Sequence, residues 1–60
     1  MREIESYART FADAEEYRGL LGDEVLKDAA RCLVEAYETY TGELPYWIID
    51  LAGHARWMLS

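Results

Sequence analysis

Hydrophobic residues recur at helical rather than alternating spacing along nearly the whole 60-residue chain. Two groups of helix-breaking residues interrupt this pattern, Gly19 with Gly22 and Gly42 with Pro45. They divide the chain into three amphipathic segments with short connections. The pattern therefore predicts an all-α protein, a compact three-helix bundle with helices at about 2–20, 23–41 and 45–59, forming one domain over residues 1–60.

The first segment has a single apolar stripe with charged residues, among them Arg2, on its other side. The stripe consists of Ile4, Tyr7, Ala8, Phe11 and Ala14. Arg18 falls back on the apolar side, which leaves two alternatives. Either its aliphatic stem packs while its charge reaches water, or the helix is already ending near Gly19.

The second segment has an apolar face that covers nearly half of the helix. One stripe contains Leu26, Ala30, Leu33, Tyr37 and Tyr40, and a neighbouring stripe contains Val25, Ala29, Cys32 and Ala36. A face this wide can pack against two helices, so we expect this segment to be central. Asp23 is the expected N-cap and Gly42 the expected residue just after the helix. The only cysteine, Cys32, is expected to be a buried structural thiol.

The third segment is apolar on almost all sides, with Pro45 suited to its first turn. The arc expected to complete the core contains Trp47, Ile48, Leu51, Ala52, Ala55, Met58 and Leu59. The opposite arc contains Tyr46, Ile49, Asp50, Gly53, His54, Arg56 and Trp57. Within it, Tyr46, Ile49, Gly53 and Trp57 follow one another at spacings of 3, 4 and 4 and form a second apolar seam.

Three helices cannot bury both sides of the third one, so this outer arc is expected to bind a partner through all seven of its residues. Exposed apolar patches mark interaction sites, and Tyr, Trp and Arg dominate binding energy at interfaces. Glycine in a helix interior is about 1 kcal/mol less favourable than alanine. Close approach of another backbone would explain why Gly53 nevertheless occupies this position. The alternative is a tilted helix that the other two cover further, leaving Trp57 as an ordinary exposed tryptophan.

The short chain also favours a partner. A domain of this size buries only about 60% of its unfolded surface, and one cysteine excludes an internal disulfide. A second subunit is the remaining means of stabilisation. We therefore expect a small acidic adaptor or inhibitor that docks on a protein, with homodimerisation first, because a two-fold contact needs only one self-complementary patch. The small size is typical of proteins of phages and plasmids.

The net charge of −6 disfavours direct binding to nucleic acid or to anionic membranes. A second hypothesis comes from the carboxylates of the central helix, which are Glu24, Asp28, Glu35 and Glu38. Such a row is typical of acidic regulators that act on nucleic-acid-binding machinery. Lys27 and Arg31 interrupt the row, so an ordinary solvated face is the simpler interpretation.

Candidate chemistry is sparse. Asp50 and His54 are four residues apart and could hydrogen-bond, as in a general base or a metal site. No nucleophile is suitably placed, and the Glu-x-x-His motif of di-iron bundles is absent. We expect no enzymatic activity, cofactor or metal, and a structural pairing of Asp50 with His54. The N-terminus is too charged for a signal peptide, which favours a cytoplasmic protein.

Overall fold

The computed structural model describes residues 3–60, in which the regular secondary structure is all helical and no strand is present. It contains α1 (Glu3–Glu16), α2 (Arg18–Leu21), α3 (Asp23–Thr39) and α4 (Tyr46–Leu59). The all-α prediction is confirmed, and three of the helices are long. The predicted count of three omits the single-turn helix α2. Arg2, placed on the polar side of the first helix, lies outside the described residues.

The predicted first helix is broken at Tyr17, where α1 has ended and α2 has not begun. The carbonyl oxygen of Tyr17 accepts the N–H groups of Leu20 and Leu21 at 2.9 and 3.0 Å, which closes the single turn of α2. The second alternative for Arg18 is therefore the correct one. Its guanidinium lies in water and pairs with Asp23 at 3.0 Å, instead of lying along the apolar side of a continuous helix.

The joint before α3 depends on Gly22, whose φ of +88° lies in the region that side chains other than glycine rarely adopt. Gly22 occupies the N-cap position, so the assignment of Asp23 as N-cap is wrong, and Asp23 is the first helical residue. The helix α3 ends at Thr39, earlier than predicted, and Gly42 does not follow it directly. Tyr40 is extended there and packs against the core, which turns the chain away from the helix.

The helix α4 begins at Tyr46, one residue later than predicted. Pro45 is its N-cap, and the Pro45 carbonyl accepts the N–H of Ile49 at 3.3 Å. This use of Pro45 agrees with the sequence argument, because a residue at the start of a helix has no N–H bond to lose.

The three long helices all contact one another and share one core. The largest fully buried side chains are Phe11 from α1, Leu26 and Leu33 from α3, and Ile48 from α4. Buried alanines surround them: Ala8, Ala14, Ala29, Ala30, Ala52 and Ala55. Small residues at these positions let the helices approach closely around four larger side chains.

Specific contacts fix the helix directions. Ile4 and Tyr40 line one surface depression, which places the start of α1 beside the end of α3, so these helices are antiparallel. Along α4, Trp47 lies near Arg9 and His54 near Glu15, so α4 runs parallel to α1. The antiparallel neighbours are thus α1 with α3 and α3 with α4.

Several residues predicted to lie in the core are exposed. Trp47 keeps 41% of its surface in water and Leu59 keeps 37%, because both lie towards the ends of α4, where the neighbouring helices give less cover. Tyr7, Val25 and Cys32 are exposed as well, so the prediction of a buried Cys32 is wrong. These three lie on the side of the α1–α3 pair away from α4, where no further helix covers them.

Candidate protein-interaction surface

The outer side of α4 carries a continuous apolar strip, which we call the α4 seam: Tyr46, Ile49, Gly53 and Trp57. Exposed fractions are 81% for Tyr46, 40% for Ile49 and 74% for Trp57. The seam is exposed because Ile48, Ala52 and Ala55, on the opposite side of the same helix, are buried against α1 and α3. A cylinder that buries one side in a small core must present the other side to water.

Gly53 lies in the middle of the seam and is exposed. A β-carbon added there would meet no atom within 4 Å, and the backbone does not have the positive φ that would require glycine. Neither packing within the molecule nor local geometry explains a glycine at this position. What glycine does provide is a flat centre on the seam, which another backbone could approach closely.

His54 is tied to α1 and not, as predicted, to Asp50. Its Nε2 atom lies 2.7 Å from a carboxylate oxygen of Glu15. Its ring is 6.0 Å from the ring of Phe11 and is stacked at 6.2 Å on the indole of Trp57. The histidine therefore connects the buried aromatic of α1 to the exposed aromatic of the seam, and it restricts the orientation of Trp57.

The two charged residues flanking the seam differ in their surroundings. Arg56 donates a hydrogen bond to Glu38 of α3 at 2.7 Å, which fixes its guanidinium on the α3 side. Asp50 is exposed on the other side. Since the charge of Arg56 is already neutralised by Glu38, the remaining charge beside the seam is the carboxylate of Asp50.

An open groove of about 650 Å³ runs between α3 and α4 next to Ile49. Its walls include Tyr40 and Leu44, which are partly buried against the core, and Arg56. Ile49 thus continues the apolar surface from the seam towards α3. All seven residues of the predicted arc lie on the exposed part of α4, although Arg56 and His54 turn towards neighbouring helices.

A second apolar surface was missed by the sequence argument. We call it the α1/α3 groove: Tyr7 and Thr10 of α1 with Val25, Ala29 and Cys32 of α3, enclosing about 340 Å³. The sequence did contain a signal for it, since the apolar face of α3 is wider than α1 and α4 together can cover. The whole of that apolar face was expected to be buried against the other two helices.

The acidic face of α3 is partly neutralised by neighbouring cations. Asp28 pairs with Arg31 at 3.1 Å, and Glu38 pairs with Arg56 at 2.7 Å. Both pairs are solvent-exposed, so they are screened and weak, but they reduce the field of the row. The alternative of an acidic regulator of nucleic-acid-binding machinery stays a prediction.

Within residues 3–60, no group of three or more His, Cys, Asp or Glu side chains is arranged to hold a metal ion. None of the helices described in that range is long and apolar enough to cross a bilayer.

Comparison with known proteins adds no family to these observations. Searches against protein-family models, curated proteins and solved structures found no match.

Proposed function

We propose that this protein is a small acidic interaction module, an adaptor or inhibitor without catalytic activity, that docks through the α4 seam. The observation that carries the proposal is the exposure of Tyr46 and Trp57 on the same face of one helix. With about 200 Å² for each aromatic side chain, they alone leave roughly 300 Å² of largely apolar surface in water. Patches of about 300–600 Å² on small proteins are often functional.

The first partner we propose is a second copy of the chain. The whole molecule carries a net charge of −6, which repels copies at long range. At the seam itself, however, Arg56 is neutralised by Glu38 and Asp50 is the one remaining charge, while charges beyond about 8–10 Å are screened at physiological salt. A two-fold contact centred near Gly53 would bring two helices together where neither has a side chain.

Self-association is tested by sedimentation of the wild type and of Trp57→Ala. We expect the wild type to form dimers in the micromolar range and Trp57→Ala to weaken them by at least tenfold, because a large exposed aromatic is lost from the contact. The matched control is Leu20→Ala. Leu20 is 84% exposed on α2, outside the seam, so its truncation should leave dimerisation unchanged.

Gly53→Leu tests the close approach of helices separately from apolar area. The added side chain points into open space in the monomer, so folding should be intact by circular dichroism while dimerisation is lost. A wild type that stays monomeric at high micromolar concentration contradicts self-association. A wild type that stays monomeric can still capture another protein. If Trp57→Ala loses that capture and Leu20→Ala keeps it, the seam binds a different protein.

A further inference from the structure

The α1/α3 groove lies on the face of the molecule away from the α4 seam, and no α4 residue lines it. Its floor is made of small or short side chains, Ala29 and Cys32 on α3 and Thr10 on α1. Tyr7 and Val25 form apolar walls. Helices pack at about 8–10 Å where small residues lie at the contact, so a groove of this kind between two antiparallel helices fits a third helix.

The groove continues towards the start of α1 and becomes acidic. The adjoining depression, of about 490 Å³, shares Tyr7 and Cys32 with the groove and is lined further on by Glu3, Glu35 and Glu38. Glu38 is already paired with Arg56 at 2.7 Å, so the negative charge at this end depends on Glu3 and Glu35. At the other end the charged residue is Asp28, which is already paired with Arg31. The surface is therefore apolar at one end and negative at the other.

We propose that the α1/α3 groove is a second docking site, which binds an amphipathic helix of another protein with apolar residues over Val25 and Cys32 and basic residues beside Glu3 and Glu35. The bound helix would cover the part of the α3 apolar face that α1 and α4 leave open. A second copy of this chain is a poor occupant, because its net charge of −6 opposes the negative end of the groove.

The test uses the single thiol of the protein as a reporter. Cys32 is exposed in the groove, so its alkylation by iodoacetamide reports whether the groove is open. The probes are two synthetic helical peptides of about four turns with the same leucine stripe. One has lysines at one end of the stripe and the other has glutamates. We expect the lysine peptide to bind and protect Cys32, and the glutamate peptide to do neither.

Charge reversal supplies the matched variants. Glu35→Lys should weaken binding of the lysine peptide by roughly fivefold or more, because it removes one exposed attraction between Glu35 and a peptide lysine and adds a repulsion between two lysines. Glu16→Lys makes the same change in net charge on α1, outside the groove, and should have little effect. Val25→Ser should weaken binding of the peptide without affecting dimerisation through the α4 seam.

Three results would overturn the proposal. They are equal binding of both peptides, binding that leaves Cys32 equally reactive, and protection of Cys32 by high protein concentration without peptide. Trp57→Ala should bind the lysine peptide as the wild type does. The two docking surfaces can therefore fail or succeed independently in the same experiments.

Discussion

At the scale of single residues, burial in this protein depends on which neighbour covers each part of a helix. Ala29 and Cys32 share one stripe of α3, yet Ala29 is buried and Cys32 is exposed. On α4, Ile48 is fully buried and the next residue, Ile49, is 40% exposed. Ile48 and Ile49 are the same residue type, so position on the helix and the helix beside it decide their burial.

Gly53 allows a prediction at this scale. Gly53→Ala should stabilise the monomer by up to about 1 kcal/mol, because alanine is the better helix former and the added methyl group meets no neighbouring atom. In a chain of this size that corresponds to a rise in Tm of about 4–8 °C. Thermal unfolding followed by circular dichroism at low protein concentration measures it. A lower Tm would mean that glycine is needed within the monomer.

At the scale of elements, the joint between α1 and α3 is set by backbone geometry more than by capping side chains. The N-cap of α3 makes no side-chain hydrogen bond, and the connection depends on the positive φ of Gly22. The predicted Asp23 cap failed for this reason. With glycine available, the chain enters α3 directly from a left-handed residue, and the Asp23 carboxylate pairs with Arg18 instead.

Two glycines of this joint give a matched pair of substitutions. Both have open space around the position of a β-carbon, but only Gly22 has a positive φ. Gly22→Ala should therefore destabilise the protein by about 1–3 kcal/mol, because a φ of +88° with a ψ of 163° is a conformation essentially restricted to glycine. Gly19→Ala should stabilise it slightly, because it lies within α2 at an ordinary φ. Urea unfolding of both variants measures the difference, and equal effects would contradict the role of Gly22.

Polar side-chain contacts also connect α4 to both long neighbours. His54 reaches Glu15 of α1, and Arg56 reaches Glu38 of α3. Each pair is partly in water, so each contributes only up to about 1 kcal/mol. The main attachment of α4 is the burial of Ile48, Ala52 and Ala55, which sets the rotation of the helix about its own axis. That rotation keeps the seam facing outward.

At the scale of the whole molecule, a small core leaves two apolar surfaces uncovered on different sides. If both proposed surfaces bind as inferred, the protein would join two other proteins, or would join two copies of itself to a helix of another protein. The two uncovered surfaces result from the number of long helices, which is three in the described part of the chain. Three long helices bury one face each, and both α3 and α4 have apolar residues on more than one face.

Stability should therefore depend on protein concentration. If copies associate through the seam, the folded state is stabilised by mass action, and Tm should rise by several degrees over about a hundredfold increase in concentration. Trp57→Ala should remove this dependence while changing the Tm of the dilute protein little, because its side chain is 74% exposed. Differential scanning calorimetry measures both. A wild-type Tm independent of concentration would contradict dimerisation in that range.

The amino-acid sequence by itself determined the all-α class, the positions of both joints and most of the core. These follow from local physics, because helical spacing of apolar residues and the breaking effect of Gly and Pro act over a few residues. Ile4, Phe11, Leu26, Leu33 and Ile48 could all be assigned to the interior in this way. The outward direction of the α4 seam followed because the third helix is apolar on two sides and a three-helix bundle can bury only one of them.

Only the tertiary structure decided which parts of the wide apolar faces are covered. The break at Tyr17, the exposure of Cys32 and the bond of His54 to Glu15 depend on how the helices are placed against each other. A helical wheel gives the direction of a side chain but not the neighbour it meets, because that neighbour is distant in sequence. The α1/α3 groove exists for this reason: α4 packs on one side of the α1–α3 pair, and the chain has no further helix for the other side.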